Sequence, residues 1–195
     1  MSKEKHQWFV LRVTYNRNAK ATDIIRRADV QSYVPMHYVT EIEIGKKKRT
    51  LRPLLPNLIF VYATREAVDA IVRKRGGSPS VMKYYLDKTK PLEDNGKHPP
   101  LTVPSAAMES LIIATSTDSN HVRIVSPEQC HYKSGDMVKV IAGDFKGTTG
   151  RVARIAGQQR VVVEVAGLCL VATAYVPTDF IEIIKDDIIN KRANT

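Results

Sequence analysis

The sequence predicts an α+β chain in two parts. The first is a domain of about three helices beside a small, mainly antiparallel sheet, and the second is an all-β barrel. Three observations predict this. β-prone runs and helix-period runs alternate up to Thr115. Beyond residue 134 no helical period recurs, and glycines at 143, 147, 150, 157 and 167 separate five short β-prone runs. Charge is uneven: residues 1–117 carry 20 Lys and Arg against 11 Asp and Glu, whereas residues 118–195 carry 10 against 9.

Trp8–Tyr15 is rich in aromatic and β-branched residues and reads as a strand. In Asn18–Asp29 the apolar Ala21, Ile24, Ile25 and Ala28 recur at helical spacing, with Arg26 and Arg27 where a helix dipole favours cations. Ser32–Thr40 is extended. Val39–Ile44 and Thr50–Tyr62 are expected to pair antiparallel, with Gly45 and the basic run at the tip. Thr64 can cap a helix through Ala67, Val68, Ile71 and Val72, closed by Arg73–Arg75 and stopped by Gly76–Gly77. Ser80–Leu86 reads as a strand and the proline-bearing 87–100 as a loop. A third helix opens at Pro104–Ser105 and carries Ala107, Met108, Leu111 and Ile112. The polar, aperiodic stretch that follows predicts a linker. The expected boundaries are 5–116 for the first domain, 117–133 for the linker, 134–185 for the second domain and 186–195 for a polar tail. Its strands are expected at 136–142, 149–155, 160–165, 168–176 and 180–184, VVVEV at 161–165 being the most β-prone.

The composition narrows the function classes. A net charge of +10 points to a polyanionic partner met by the first domain. No apolar run approaches the ~18 residues of a membrane span, and the first residues lack a signal-peptide core. A cytoplasmic protein without membrane contact is expected. Cys130 and Cys169 stand too far apart for a zinc knuckle, so no metal and no cofactor are expected. Gly143, Gly147 and Gly150 do not make a phosphate loop, because Lys146 precedes Gly147 and Thr148–Thr149 lead into a strand. The five histidines show no pairing, and 76–80 lacks the closing glycine of a nucleophile elbow. No catalytic constellation emerges, and no enzyme is expected.

One segment, GKKKRTLRPLLPNLIFVY at 45–62, joins a cationic run to an apolar one. Lys46, Lys47, Lys48 and Arg49 read either as a solubilising tip or as a counterion-releasing contact to nucleic acid, and the local charge favours the contact. In Leu58–Tyr62 side chains alternate between faces, and both faces are apolar. The helices either cover both faces or leave one for a partner. A solvent-open patch holding Leu58 and Phe60, with Tyr84, has the chemistry of a protein-docking site.

These residues resemble the NusG family of transcription elongation factors. GDMVKVIAGDFKGTTGRV is similar to its KOW motif, here Gly135, Asp136, Val138, Val140, Gly143, Phe145, Gly147, Gly150 and Val152. WFVLRV, the PLLPNLIFV strand and VPSAAMESL are similar to its N-terminal NGN domain. The likeness runs through residues 8–184 and is strongest to specialised RfaH-type paralogues, including those found with surface-polysaccharide operons of Bacteroidetes. The resemblance implies an NGN-like domain followed by an SH3-like KOW barrel.

It also implies a function: a monomer without chemistry of its own that binds RNA polymerase and promotes processive transcription on particular operons. Leu55, Leu58 and Phe60 would line a pocket for the polymerase clamp helices, with Tyr84, Met108 and Leu111 beside it. Lys46–Arg49 would reach across the cleft toward DNA near the transcription bubble, and Arg17 and Lys20 would face the displaced strand. The KOW domain would recruit termination factor Rho or a small-subunit ribosomal protein. Its glycines and VVVEV predict a stable barrel with no switch to helix. The alternative is an RNA- or ribosome-binding KOW protein without polymerase contact.

Overall fold

A computed structural model of the chain describes residues 5–14, 17–43, 45–73, 80–117 and 121–184, with backbone alone at 133–136. Tyr15, Ile44, the expected helix stop at Lys74–Gly77 and the tail at 186–195 lie outside the described residues. The elements are β1 (Gln7–Val13), α1 (Asn18–Arg27), β2 (Gln31–Tyr33), β3 (Met36–Glu43), β4 (Lys46–Pro53), β5 (Leu58–Ala63), α2 (Arg65–Val72), β6 (Met82–Tyr84), β7 (Thr102–Val103), α3 (Ser105–Thr115), β8 (Arg123–Val125), β9 (His131–Val140), β10 (Thr149–Ile155), β11 (Gln158–Val165), β12 (Cys169–Tyr175) and β13 (Ile181–Ile183). The first part is α+β and the second β-rich, as expected. Among the described residues no helix is long and apolar enough to cross a membrane.

The chain forms two compact units. One holds the described residues of Met1–Val34 and Leu55–Ser105; the other holds those of Pro35–Leu54 and Ala106–Thr195. This differs from a single first domain at 5–116. The hairpin and α3 group with the C-terminal sheet, and Ser110 of α3 is hydrogen-bonded to Thr149 there.

The first unit is built on an antiparallel sheet in the order β2-β5-β1-β6, with β7 also on β1. Its central strands, QWFVLRV and LIFVYA, are almost wholly buried, which is why both faces are apolar. Phe9, Leu11, Val13, Ile59 and Val61 pack with Ala21 and Ile25 of α1 and Val68 and Ile71 of α2. Thr64 Oγ1 accepts from the Ala67 amide at 3.3 Å, the expected cap.

In the loop between β6 and β7, Asp87 is buried and accepts from the Thr89 hydroxyl and amide. The Thr89 hydroxyl bond, with Lys90 nearby, holds its carboxyl below the ordinary range. Its stabilising contribution is therefore present above the unfolded carboxylate pKa and is lost as pH falls through the depressed folded value. Asp87→Asn is expected to cost about 1–3 kcal/mol at neutral pH and to flatten this acid limb, read from urea titrations across pH 2–6.

In the second unit, a six-stranded antiparallel sheet runs β13-β9-β10-β11-β12-β8. The five expected strands are all present. The sixth, β8, lies inside the expected linker and pairs with β12 through Ile124↔Val171. Three residues are too few to show a period, so sequence gave no sign of it. Arg160, buried, donates to the carbonyls of His121 and Thr173 and so ties the chain before β8 to the sheet.

Two further expectations change. Thr50–Tyr62 is not one strand: Pro53, Pro56 and the left-handed Asn57 (φ 61) break it into β4 and β5, in different sheets. The basic run is not the hairpin tip. Glu43 pairs with Lys46, and the turn closes at Gly45 (φ 76), so Lys46–Arg49 occupy strand positions of β4.

Candidate functional site

Register decides which side chains share a face, because residues directly opposite in an antiparallel pair point the same way. Phe60 is opposite Val10 and Leu58 opposite Arg12, so Leu58 and Phe60 share one face of the first sheet. Leu11 is opposite both Ile59 and Tyr84. Tyr84 therefore lies on the other face, and the expectation that it stands beside Leu58 and Phe60 is corrected. It packs on Phe9 and donates to Asp69 Oδ1 at 2.7 Å, with the Arg65 guanidinium over its ring at 4.8 Å. Burial, then the Asp69 bond, pushes its hydroxyl pKa well up. Asp69 thus serves this internal network rather than standing free on α2.

The groove is not open in this structure. Leu55 and Leu58 are 7% and 8% exposed and Phe60 is 0% exposed. Met108 and Leu111, on α3 in the other unit, are also fully buried. A docking surface formed by these side chains, standing ready in solvent, is an expectation the structure does not meet. An apolar run shows that a face needs cover, but not whose atoms supply it.

Lys20 and Lys46–Arg49 are exposed, and Arg17 is half-buried. Arg17 is the N-cap residue of α1 and Lys20 lies in its first turn, which holds no acidic residue. Cations there oppose the helix dipole. Lys46, Lys47, Lys48 and Arg49 line β4 in full view of solvent. Sequence reasoning missed their neighbours. Arg52 Nη2 pairs with Glu41 Oε1 at 2.9 Å and Lys48 Nζ with Glu43 Oε2 at 2.9 Å. The Arg52 hydrogen bond is the main cause that holds the Glu41 carboxyl below its usual range. The Arg49 guanidinium lies 3.8 Å from the Tyr38 ring centroid. Locating the turn at Gly45 would have revealed these partners.

The KOW residues build the β9–β10 turn. Val138, Val140 and Phe145 are buried, Val152 is half-buried, and Gly135 and Asp136 contribute backbone to β9. Gly143 and Gly147 take φ of 76° and 97°. Gly150 passes so close to the Val162 carbonyl that a side chain there meets backbone. On α3, Ser110 Oγ lies 2.8 Å from Thr149 Oγ1 and accepts from the Thr149 amide at 3.0 Å. A shallow groove of about 480 Å³ lies beside Ile124, Tyr132, Glu164 and Cys169. Burial pushes the Cys169 thiol up to about 12, so it stays protonated. Among the described residues, no three His, Cys, Asp or Glu side chains converge as metal ligands.

No curated protein matches the chain. Among solved structures, one chain of the crystal structure of the MjSpt4:Spt5 complex, conformation B, aligns over 92% of this chain and 97% of its own. The identity is 16% and the TM-score 0.27. The KOW motif model matches residues 134–164. The model described as transcription termination factor nusG matches residues 6–112, more than half the chain, and the chain belongs to the NusG family of transcription elongation factors.

Proposed function

We propose that the chain binds RNA polymerase through its N-terminal domain and promotes processive transcription, as a specialised cytoplasmic paralogue acting on particular operons. The observation that carries this is the family match over residues 6–112, the stretch that also holds nearly all the net charge. Leu55, Leu58 and Phe60, with Met108 and Leu111, are the proposed contacts to the clamp helices. The basic hairpin strand β4, together with Arg17 and Lys20 on α1, is proposed to turn toward DNA near the bubble. The KOW sheet, near neutral in charge, is suited to a protein partner such as Rho or a small-subunit ribosomal protein.

Burial of the apolar set adds a requirement. The docking-competent state is a minority state in the free protein, and apparent affinity falls in proportion to its population. Once bound, a factor that favours a closed clamp shifts the pausing equilibrium only by its differential affinity; about 1.4 kcal/mol alters it tenfold.

The test is single-round transcription on a pausing template with the cognate polymerase, with and without the full chain, alongside co-sedimentation with that polymerase. Shortened pauses and co-sedimentation are expected. Retention on RNA or ribosomes, with neither polymerase binding nor a change in pausing, would establish the alternative reading instead.

A further inference from the structure

The β3–β4 hairpin divides its charge between two faces. Register places Glu41 and Glu43 on one side with Lys46, Lys48 and Arg52. That side largely neutralises itself through the Glu41–Arg52 and Glu43–Lys48 pairs. The opposite side holds Tyr38, Thr40 and Ile42 across from Leu51, Arg49 and Lys47. None of its strand positions is acidic. Ile42 is 75% exposed and Leu51 47% exposed. The Arg49 guanidinium, itself exposed, covers the Tyr38 ring.

Cations interleaved with an aromatic and exposed aliphatics suit a ligand that offers phosphate and apolar surface together. Duplex DNA shows proteins mainly its phosphates and groove edges, while a single strand also offers base faces. Lys47 and Arg49, two residues apart, are separated by about 7 Å along the strand. That is comparable to the distance between successive phosphates on an extended chain.

We propose that the hairpin binds single-stranded nucleic acid through the Tyr38/Ile42/Lys47/Arg49/Leu51 face alone, the Glu-bearing face taking no part. Lys47 and Arg49 hold phosphates, and bases lie against Ile42, Leu51 and the Tyr38–Arg49 stack. This rests on the proposal that the hairpin meets nucleic acid, and it names the face and the strand state.

The test uses the full chain and a fluorescein-labelled 20-mer of oligo-dT, with anisotropy titrations over a range of salt. Lys47→Ser/Arg49→Ser and Lys46→Ser/Lys48→Ser remove the same formal charge from exposed positions of one strand. The first pair is expected to weaken binding about tenfold or more and to reduce the slope of log K against log salt by about 1.4, near 0.7 per lost phosphate contact. The second is expected to change affinity less than about threefold and leave the slope unaltered, an allowance for screened long-range charge. Ile42→Ser/Leu51→Ser is expected to weaken binding with the slope unchanged. Equal losses for the two charge pairs would overturn the one-sided hairpin while leaving nucleic-acid contact standing. Equal affinity for a 20-base-pair duplex, or for poly-glutamate, would overturn the single strand as occupant. No binding of any nucleic acid by the unaltered chain would overturn the underlying reading as well.

Discussion

Phe60→Ala is expected to destabilise the first unit by about 3–5 kcal/mol, the usual cost of emptying a fully enclosed aromatic site. Phe60 sits mid-strand in β5, opposite Val10, itself 0% exposed, with strands on both sides. Neither neighbour can close on the vacancy without breaking the ladder. Trp8, the sole tryptophan, is buried in the same sheet with its ring 5.3 Å from that of Tyr62, so urea unfolding followed by its fluorescence reads the loss directly. Phe60→Leu keeps most of the volume and is expected to cost about 1.5 kcal/mol or less. A polymerase-binding defect in Phe60→Ala is therefore ambiguous, since an unfolded domain also fails to bind. The same defect in Phe60→Leu, with the fluorescence transition preserved, is the informative one.

Gly150→Ala is expected to cost about 3 kcal/mol or more, at the upper end for forcing atoms into a packed site. A methyl there collides with the Val162 carbonyl oxygen and lies within 2.9 Å of the carbonyl carbon and 3.0 Å of Val161 Cγ1. The obstacle is backbone of β11, so β10 and β11 have to separate. Gly157→Ala supplies the contrast. Unlike Gly150 it occupies a turn, with φ 77°, and its added methyl meets nothing within 4 Å. Its expected cost is about 1 kcal/mol, from backbone conformation alone. Hydrogen exchange at the β11 amides distinguishes them: protection collapses in Gly150→Ala and persists in Gly157→Ala. The glycine of the KOW motif that matters most by this measure is thus the one with ordinary φ, needed for space rather than for conformational freedom.

Elements whose signals are local were readable in sequence. α2 announces itself through Thr64 and the spacing of Ala67, Val68 and Ile71, and β11 through an unbroken run of valines. Pairing and cover were harder because they depend on parity and on distant atoms. The four cations were recognised, but whether they form a tip or a strand depended on where the chain reverses. That one difference decides which of them oppose Glu41 and Glu43. Tyr84 is conspicuous by composition, yet only its register with Leu11 shows that it belongs to the α1–α2 side. The apolar strand at 58–62 was identified correctly as a segment needing cover on both faces. Its burial in the folded chain could not be told from burial awaiting a partner, since both require the same residue types.

The pairing of β8 with β12 has a consequence for reach. If the tether ran to residue 133, the C-terminal sheet could roam widely on its leash from α3. With Arg123 already fastened, seven residues, 116–122, connect α3 to the sheet, a contour of at most about 25 Å. A short tether of this kind keeps its two ends at millimolar effective concentration with respect to each other. Once the Ser110–Thr149 bond is broken, recapture competes at that concentration, so a rival for either surface has to outbid a neighbour that never diffuses away.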